Sequence, residues 1–232
     1  VEFGNQLAIC RKIGLVIYTA SLVYDWCHDL TGPEDRNVFH EHLLRLAEEM
    51  EIGWPPFKQI VANGHGGEAQ VSRDLLSMGL ALWGEDDEPY RLCAYRILEE
   101  MVPMHDWEYR SGWHNQGSAY GQYRYGWNLY GAWLFKRMSG KEVYSKDLAQ
   151  VPYFWIYLLT PDGDILADGD NFLGGKSKLL DFTFFLAYTW GADPVLKGEY
   201  DRQHPAGVAS WNPLLFLLLN DPGLLSAPSL TS

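Results

Sequence analysis

The sequence predicts an all-α fold, and three observations lead to this assignment. Eight segments show helical periodicity or apolar density, and the stretches between them lack the sustained alternation of apolar and polar residues that marks strands. Helical segments of similar length also follow one another in pairs, which suits a helical toroid or solenoid. At 232 residues and 47% hydrophobic content, the chain is long enough to bury a sizeable core.

The first two helices are predicted from spacing and from a helix-start signal. Apolar residues recur every three to five positions over residues 6–29, which indicates one long helix. Thr31 followed by Glu34 predicts a capping box, and Pro33 suits the first turn of the next helix. We therefore expect a second helix over residues 33–51.

The third and fourth helices follow a break at Pro55 and Pro56, where a helix is not possible. The third is predicted over residues 67–83, directly after the Gly-rich stretch NGHGGE. The fourth is predicted over residues 87–102. Its first turn is acidic and tolerates Pro89, as helix N-termini do.

Four further helices complete the prediction. The fifth covers residues 116–138, and the next two cover 148–159 and 178–190. These two flank a loop that reads TPDGDILADGDNFLGG, and a last apolar segment covers 213–219. The loops are longer than packing requires, and long ordered loops on a helical scaffold are commonly functional.

Composition excludes some functions and favours others. The 18 Lys and Arg residues face 30 Asp and Glu residues, and the net charge of -12 argues against a nucleic-acid or anionic-membrane surface. Aromatic residues make up 15% of the chain, a share that suits sugar-binding sites or, equally, an aromatic-rich core. No apolar run is long enough to span a membrane. The three cysteines, Cys10, Cys27 and Cys93, are predicted to be buried thiols.

The chain ends suggest a piece of a longer protein. The N-terminus VEFGNQLAICRK has neither an initiator Met nor the features of a signal peptide. The C-terminus reads PGLLSAPSLTS, which has the composition of a linker. We therefore expect the natural protein to continue beyond this sequence.

The stretch VANGHGGE contains the first pair of candidate functional residues, His65 and Glu68. The glycines around these two titratable side chains allow a ligand to come close to them. A structural explanation remains open, in which His65 caps the following helix and Glu68 occupies its first turn, where acids are favoured.

The second pair is Tyr120 and Arg124, inside NQGSAYGQYRYGW. A spacing of four on a helix places both on one face, and a nearby cation favours the phenolate form of a tyrosine. Gly117, Gly121 and Gly126 leave that face open to a bulky ligand. The alternative is an ordinary core or rim aromatic beside a surface charge.

Metal and phosphate sites are not predicted. The DGD runs at residues 162–164 and 168–170 fail the EF-hand spacing, and Asp-Gly is first a turn signal. His40 and His42 point to opposite faces of a helix, so they do not form a zinc pair. The sequence also has no phosphate-binding glycine motif and no nucleophilic serine elbow.

Three stretches together, SLVYDWCHDLT, NGHGGE and QGSAYGQYR, resemble the heparinase II-like polysaccharide lyases. In that family a His with a Glu three residues later precedes a Tyr with an Arg four residues later, and these fall on His65, Glu68, Tyr120 and Arg124. The resemblance implies an incomplete (α/α) toroid over residues 1–225, with a linker beginning at 226–232. It also implies a periplasmic or secreted location.

The same resemblance implies β-elimination at a uronic acid in an acidic polysaccharide. Tyr120 would protonate the departing C4 oxygen and would remove the C5 proton of one epimer. His65, aided by Asn63, would bind the uronate carboxylate, and Glu68 would orient or polarise that site. Arg124 would sit behind the phenol. No cofactor is expected within this chain.

Substrate contacts are predicted for several neighbouring side chains. Trp107, Trp113 and Trp127 are candidates for stacking on sugar rings, and Gln116 for a hydrogen bond to the glycan. The loop at residues 168–171 is expected to border the same cleft.

In the family, a following β-sandwich domain donates a second catalytic His and often has its own metal site. This chain stops before such a domain, so we expect the fragment alone to be impaired.

Two other functions stay open at this point. A glycoside hydrolase on a similar toroid requires two carboxylates, for which Glu68 with Asp168 or Asp170 is conceivable. A non-catalytic glycan-binding module would also explain the tryptophans. The acidic net charge conflicts with a polyanionic substrate unless basic residues cluster in the cleft, and the candidates are Arg11, Lys12, Arg73, Arg110 and Arg124.

Overall fold

A computed structural model describes residues 6–57, 65–169, 179–204 and 212–228. Across these residues the secondary structure is helical, with no β-strand and a single isolated bridge between Leu159 and Ile165. The predicted all-α class is therefore confirmed for the described part of the chain. Contacts divide the chain into two compact units, Val1–Pro103 and Met104–Ser232. Each unit is described by itself, and the single toroid domain over residues 1–225 stays a prediction.

The first unit is built from α1 to α4 and two π-helical segments. Helix α1 packs against α2, α3 and the first π segment, while α3 packs against α4. A Cβ on Gly79 would lie 2.5 Å from the backbone nitrogen of Tyr90, so this glycine permits the close approach of α3 and α4. The elements are α1 Gln6–Trp26, α2 Pro33–Glu48, π segment His65–Leu75, α3 Leu76–Ala81, α4 Glu88–Tyr95 and π segment Arg96–Met101.

Two histidine–carboxylate pairs anchor the loop between α3 and α4. The Nε2 atom of His28 lies 2.8 Å from Oε1 of Glu85, and Nε2 of His40 lies 2.9 Å from Oδ2 of Asp86. Tyr24 donates its hydroxyl to the other oxygen of Glu85 at 2.7 Å. These contacts give His28 and His40 structural roles.

The second unit contains α6 to α10 and most of α5, which begins at Val102. Helix α6 packs against α8, and α8 packs against α9. Trp155, Tyr125, Phe184 and Phe185 are fully buried in its core. The elements are α5 Val102–Glu108, α6 Tyr120–Ser139, α7 Val151–Tyr157, α8 Asp181–Gly191, α9 Pro194–Gln203 and α10 Pro213–Leu219, with 3₁₀ turns at Tyr109–Ser111 and Lys146–Gln150.

Helix ends differ from the predictions where local hydrogen bonds decide them. The predicted capping box was wrong by one residue, because Gly32 is the N-cap and its N–H donates to Oδ2 of Asp35 at 3.2 Å. Thr31 instead donates its hydroxyl to the backbone oxygen of His28. Helix α2 ends at Glu48, three residues earlier than predicted.

The run predicted to end at residue 102 continues as α5 to Glu108. Pro103 does not stop it, since this proline is the second residue of α5, directly after a π segment. Helix α9 was not predicted. Its start signal was present, because Asp193 caps the backbone N–H groups of Val195 and Leu196 and Pro194 follows at the first helical position.

None of the helices within the described ranges combines the length and the apolar character needed to cross a bilayer.

Candidate functional site

Tyr120 and Arg124 lie at the N-terminal end of α6, in the second unit. Tyr120 is the first residue of the helix and is half-buried, while Arg124 is 4% exposed. The guanidinium carbon of Arg124 lies 5.8 Å from the centre of the Tyr120 ring and 5.7 Å from the Trp127 ring. As the spacing predicted, the cation lies against the phenol. Both contacts are within the range of a cation–π interaction.

The backbone ahead of Tyr120 is fixed by a tight loop contact. Gly117 has a φ of +71°, and its carbonyl accepts the indole N–H of buried Trp155 at 3.0 Å. The N–H of Ser118 donates to the backbone oxygen of Asp168 at 3.1 Å. Residues 116–119 therefore form a turn, and α6 begins four residues later than predicted.

The residues predicted to contact the substrate differ in how exposed they are. Trp113 is 41% exposed, and its indole N–H donates to Oδ2 of Asp168 at 3.3 Å, which fixes the ring at the surface. Trp127 is half-buried against Arg124, and Gln116 is half-buried in the turn before α6. Trp107 is 74% exposed. Trp113 thus combines partial exposure with an indole N–H that is held in place.

A buried polar network supports this end of α6, and sequence reasoning missed it. Nδ1 of His105 lies 3.2 Å from Oε2 of Glu108, and the amide of Asn128 lies 2.8 Å from Nε2 of His105 and 3.3 Å from the Tyr109 hydroxyl. The other oxygen of Glu108 accepts the N–H of Asn115 at 2.9 Å. The network ties α6 to the segment that precedes Trp113. Its only sequence signal is the three-residue spacing of His105 and Glu108 on a helix.

The charge of Glu108 is stabilised within this network. Burial raises the pKa of its carboxyl, but hydrogen bonds from His105 and the Asn115 N–H, together with the nearby His114, outweigh burial and lower the pKa overall. Glu108 is therefore an anion that holds the loop before α6.

His114 is a neutral buried ring beneath the start of α6. Its Nδ1 accepts the N–H of Gln116 at 3.2 Å, so in the neutral ring the proton is on Nε2. The pKa of His114 is lowered to about 3, chiefly by burial and also by His105 and Arg124, against the opposing effect of Glu108. The ring cannot charge without disturbing the turn that leads to Tyr120.

We predict that His114 makes the folded chain sensitive to acid. Because the folded-state pKa lies below the unfolded value of about 6.5, the unfolded state alone binds this proton between pH 6.5 and about 3. His114 thus contributes stability that is present above pH 6.5 and falls by about 1.4 kcal/mol per pH unit as the solution is acidified.

The measurement is urea unfolding of the wild type and of His114→Asn at pH 7 and pH 5.5. Asparagine preserves the bond to the N–H of Gln116 but does not titrate. At pH 7 the variant should be less stable than the wild type, because the smaller asparagine leaves a cavity where the imidazole was. On acidification to pH 5.5 it should lose less stability than the wild type. Equal losses in the two proteins would contradict the assignment.

Glu68 lies in the π segment His65–Leu75 of the first unit. Its side chain is fully buried. Asn63, Asp170 and the side chain of His65 fall outside the described residues. π-helical geometry is rare and is frequent at functional sites, and Glu68 lies within this segment.

Arg73 and Asp74 follow Glu68 in the same π segment and form an ion pair. Nε of Arg73 donates to Oδ1 of Asp74 at 2.6 Å. Asp74 is buried against α1, since a Cβ on Gly14 would lie 2.0 Å from its Oδ2. Burial raises the pKa of Asp74, and Arg73 opposes that rise. The charge of Arg73, a candidate for the basic cleft, is thus matched by a buried carboxylate.

The structure therefore places the Arg124 guanidinium against both Tyr120 and Trp127, while Gln116 and Trp113 lie in the segment before α6 in the same unit. His65 and Glu68 belong to the first unit, and their approach to Tyr120 stays a prediction. Within the described ranges, no cluster of three or more His, Cys, Asp or Glu side chains is arranged to hold a metal ion.

Comparison with known proteins adds no identification: no family model matches the chain, and no curated protein matches it significantly.

Proposed function

We propose that this chain is the helical-toroid part of a polysaccharide lyase that cleaves a uronic-acid-containing polysaccharide by β-elimination. The observation that supports it most directly is the buried guanidinium of Arg124 against the half-buried phenol of Tyr120. A phenol that exchanges a proton during catalysis benefits from a fixed cation beside it, because the cation stabilises the phenolate.

In the proposed reaction, a base removes the C5 proton of the uronate, and the electron pair left on C5 forms the C4–C5 double bond as the C4–O4 bond breaks. For the epimer whose C5 proton faces away from the phenol, that base is the second catalytic His expected from the following domain. Tyr120 donates its proton to the departing O4 oxygen. For the epimer whose C5 proton faces the phenol, the phenolate first removes that proton and then returns it to O4. The guanidinium of Arg124 stabilises the phenolate, which is present before the C5 proton is removed and again after O4 is protonated.

The uronate carboxylate is assigned to His65 with Asn63. Removing the C5 proton shifts negative charge onto that carboxylate, and a hydrogen bond from the imidazole stabilises it. Glu68 is fully buried three residues after His65, so we assign it a positioning role on the imidazole. The uronate carboxylate and an unpaired Glu68 carboxylate would repel each other. A hydrogen bond between Glu68 and His65 reduces this repulsion.

Sugar rings next to the cleaved bond are assigned to Trp113 and Trp127, and Gln116 is assigned a hydrogen bond to the glycan. Trp113 supports this part best, because Asp168 holds its indole N–H while 41% of the residue stays exposed. The acidic net charge of -12 requires that the polyanion be met by local cations, of which Arg124 is one.

The experiment uses the full-length protein, because the proposed second catalytic His belongs to a following β-sandwich domain. Chondroitin sulfate, heparan sulfate, hyaluronan and alginate are each incubated with the protein, and ultraviolet absorbance of the unsaturated uronate is followed. We expect absorbance to rise with at least one of them.

New reducing ends without ultraviolet absorbance would show hydrolysis and would replace the lyase proposal with a toroid glycoside hydrolase. Binding without any cleavage would instead indicate a non-catalytic glycan-binding module.

A further inference from the structure

A cavity of about 490 Å³ lies in the second unit, apart from the residues assigned to catalysis. It is lined by the start of α8, the C-terminal turn of α9 and the turn after α7, and neither Tyr120 nor Arg124 is among the lining residues. Its volume is within the range of roughly 300–1,000 Å³ typical of small-molecule sites.

The walls of the cavity combine apolar and hydrogen-bonding side chains. Leu159, Leu179 and Leu180 provide aliphatic surface. Arg202 and Gln203 stand at the end of α9. This pairing of an apolar wall with a few planar polar groups is common where a ligand has both a C–H face and hydroxyls.

The basic side chains of the cavity already lie against carboxylates. Arg202 donates from Nε, at 2.9 Å, and from Nη2 to Oε1 of fully buried Glu199. Nε2 of His204 lies 3.4 Å from Oδ2 of Asp181, which also lines the cavity. A carboxylate ligand would meet Asp181 in the wall of the cavity and an Arg202 already paired with Glu199, whereas an uncharged ligand would not be repelled.

Hydrogen-bonding capacity remains after these pairs are made. The Glu199 pair does not use the two N–H groups on Nη1 of Arg202. Gln203 donates weakly to the Glu199 backbone oxygen, at 3.4 Å, and that bond leaves its side-chain oxygen as an acceptor. The cavity thus offers both donors and acceptors, as hydroxyl groups require.

From these features we propose that the cavity binds a neutral pyranose, with its hydroxyls on Arg202, Gln203 and Asp181 and its C–H face on the leucines. The site is distinct from the uronate site assigned to Tyr120. It does not depend on the lyase chemistry, and it would hold an uncharged sugar residue of a glycan while cleavage occurs elsewhere.

The test is saturation-transfer NMR on the full chain with methyl β-D-glucopyranoside, methyl β-D-galactopyranoside and methyl α-D-mannopyranoside. Each is compared with the matched sugar acid: glucuronate, galacturonate or mannuronate. We expect at least one neutral pyranoside to bind more tightly than its acid. Tighter binding of the acids, or no binding by any pyranoside, would overturn the proposal.

Two variants locate the binding. Arg202→Lys keeps a cation for Glu199 but removes the planar fork, and should weaken the pyranoside by about tenfold, the effect of one hydrogen bond to a charged group. Leu159→Trp should fill the cavity and abolish binding without disturbing Arg202.

Arg137→Lys, at an exposed position on α6, is the matched control and should bind normally. Tyr120→Phe should also bind normally, so failure of the lyase proposal and failure of this one are distinguishable. Unchanged binding in both cavity variants would place the ligand elsewhere and overturn the proposal.

Discussion

Replacing Tyr120 by Phe is expected to abolish the unsaturated-uronate signal of the full-length protein while the protein remains folded. The substitution removes only the phenolic oxygen, so the ring remains against the guanidinium of Arg124. If this oxygen supplies the proton to O4, the rate falls by about 10²–10⁴-fold, the usual contribution of a general acid or base. The loss should appear in kcat with little change in KM, since the hydroxyl acts in the transition state.

Tyr123→Phe is the matched control, because Tyr123 is half-buried on the same helix one turn ahead of Trp127. Its ring packs against Trp127 and Phe182, at centroid distances of 6.0 Å and 5.8 Å. Loss of its hydroxyl should leave kcat within about twofold, as expected for a group outside the reaction. Circular dichroism and thermal unfolding of both variants report on folding.

Full activity in Tyr120→Phe would remove the central residue from the proposed mechanism. Equal losses in the two variants would also contradict it, because a general disturbance of α6 would then explain the effect.

Replacing Gly117 by Ala is expected to destabilise the second unit strongly. The residue has a φ of +71°, which costs an L-residue about 1–2 kcal/mol. In addition, the new Cβ would lie 1.7 Å from the backbone oxygen of Asp168, and overpacking adds about 1–3 kcal/mol. The free energy of unfolding should therefore fall by about 2–5 kcal/mol in total.

Gly140→Ala separates these two costs. Gly140 has a nearly identical φ of +69°, but a Cβ there would meet nothing within 4 Å. Only the backbone cost should appear, about 1–2 kcal/mol. Urea unfolding of both variants at pH 7 gives the comparison, and similar losses would show that the contact with Asp168 does not constrain the loop.

The same experiment bears on function, because Gly117 lies three residues before Tyr120. If the variant still folds at low temperature, the loop carrying Asp168 must move away from the turn before α6. That movement would displace Trp113, whose indole donates to the Asp168 side chain. We therefore expect the rate of polysaccharide cleavage to fall in Gly117→Ala under conditions where Gly140→Ala keeps the wild-type rate.

Much of the helical structure was predictable, because it depends on local periodicity. Helix α1 runs through most of the predicted residues, to Trp26, and α6 ends within one residue of the prediction. Local capping was less predictable, since Thr31 and Gly32 compete for the same role and a single hydrogen bond from Gly32 to Asp35 decides the start of α2. Helix α9 was missed because its ten residues have a weak apolar pattern, although Asp193 and Pro194 signalled its start.

In the candidate site, too, local contacts were predictable and contacts between distant segments were not. A spacing of four on a helix was enough to place Arg124 beside Tyr120, because helix geometry alone brings side chains one turn apart together. The buried network of His105, Glu108 and Asn128 was not predictable, since it joins two helices about twenty residues apart in the sequence.

The sequence by itself determined the helical class and the position of the Tyr120–Arg124 pair. Only the tertiary structure decided that Glu68 and His114 are buried, that Asp168 fixes both Trp113 and the turn before α6, and that the cavity at Arg202 has its charges matched. The physical reason is range: helix formation follows from residues a few positions apart, whereas burial and pairing of polar groups depend on segments that meet only when the chain has folded.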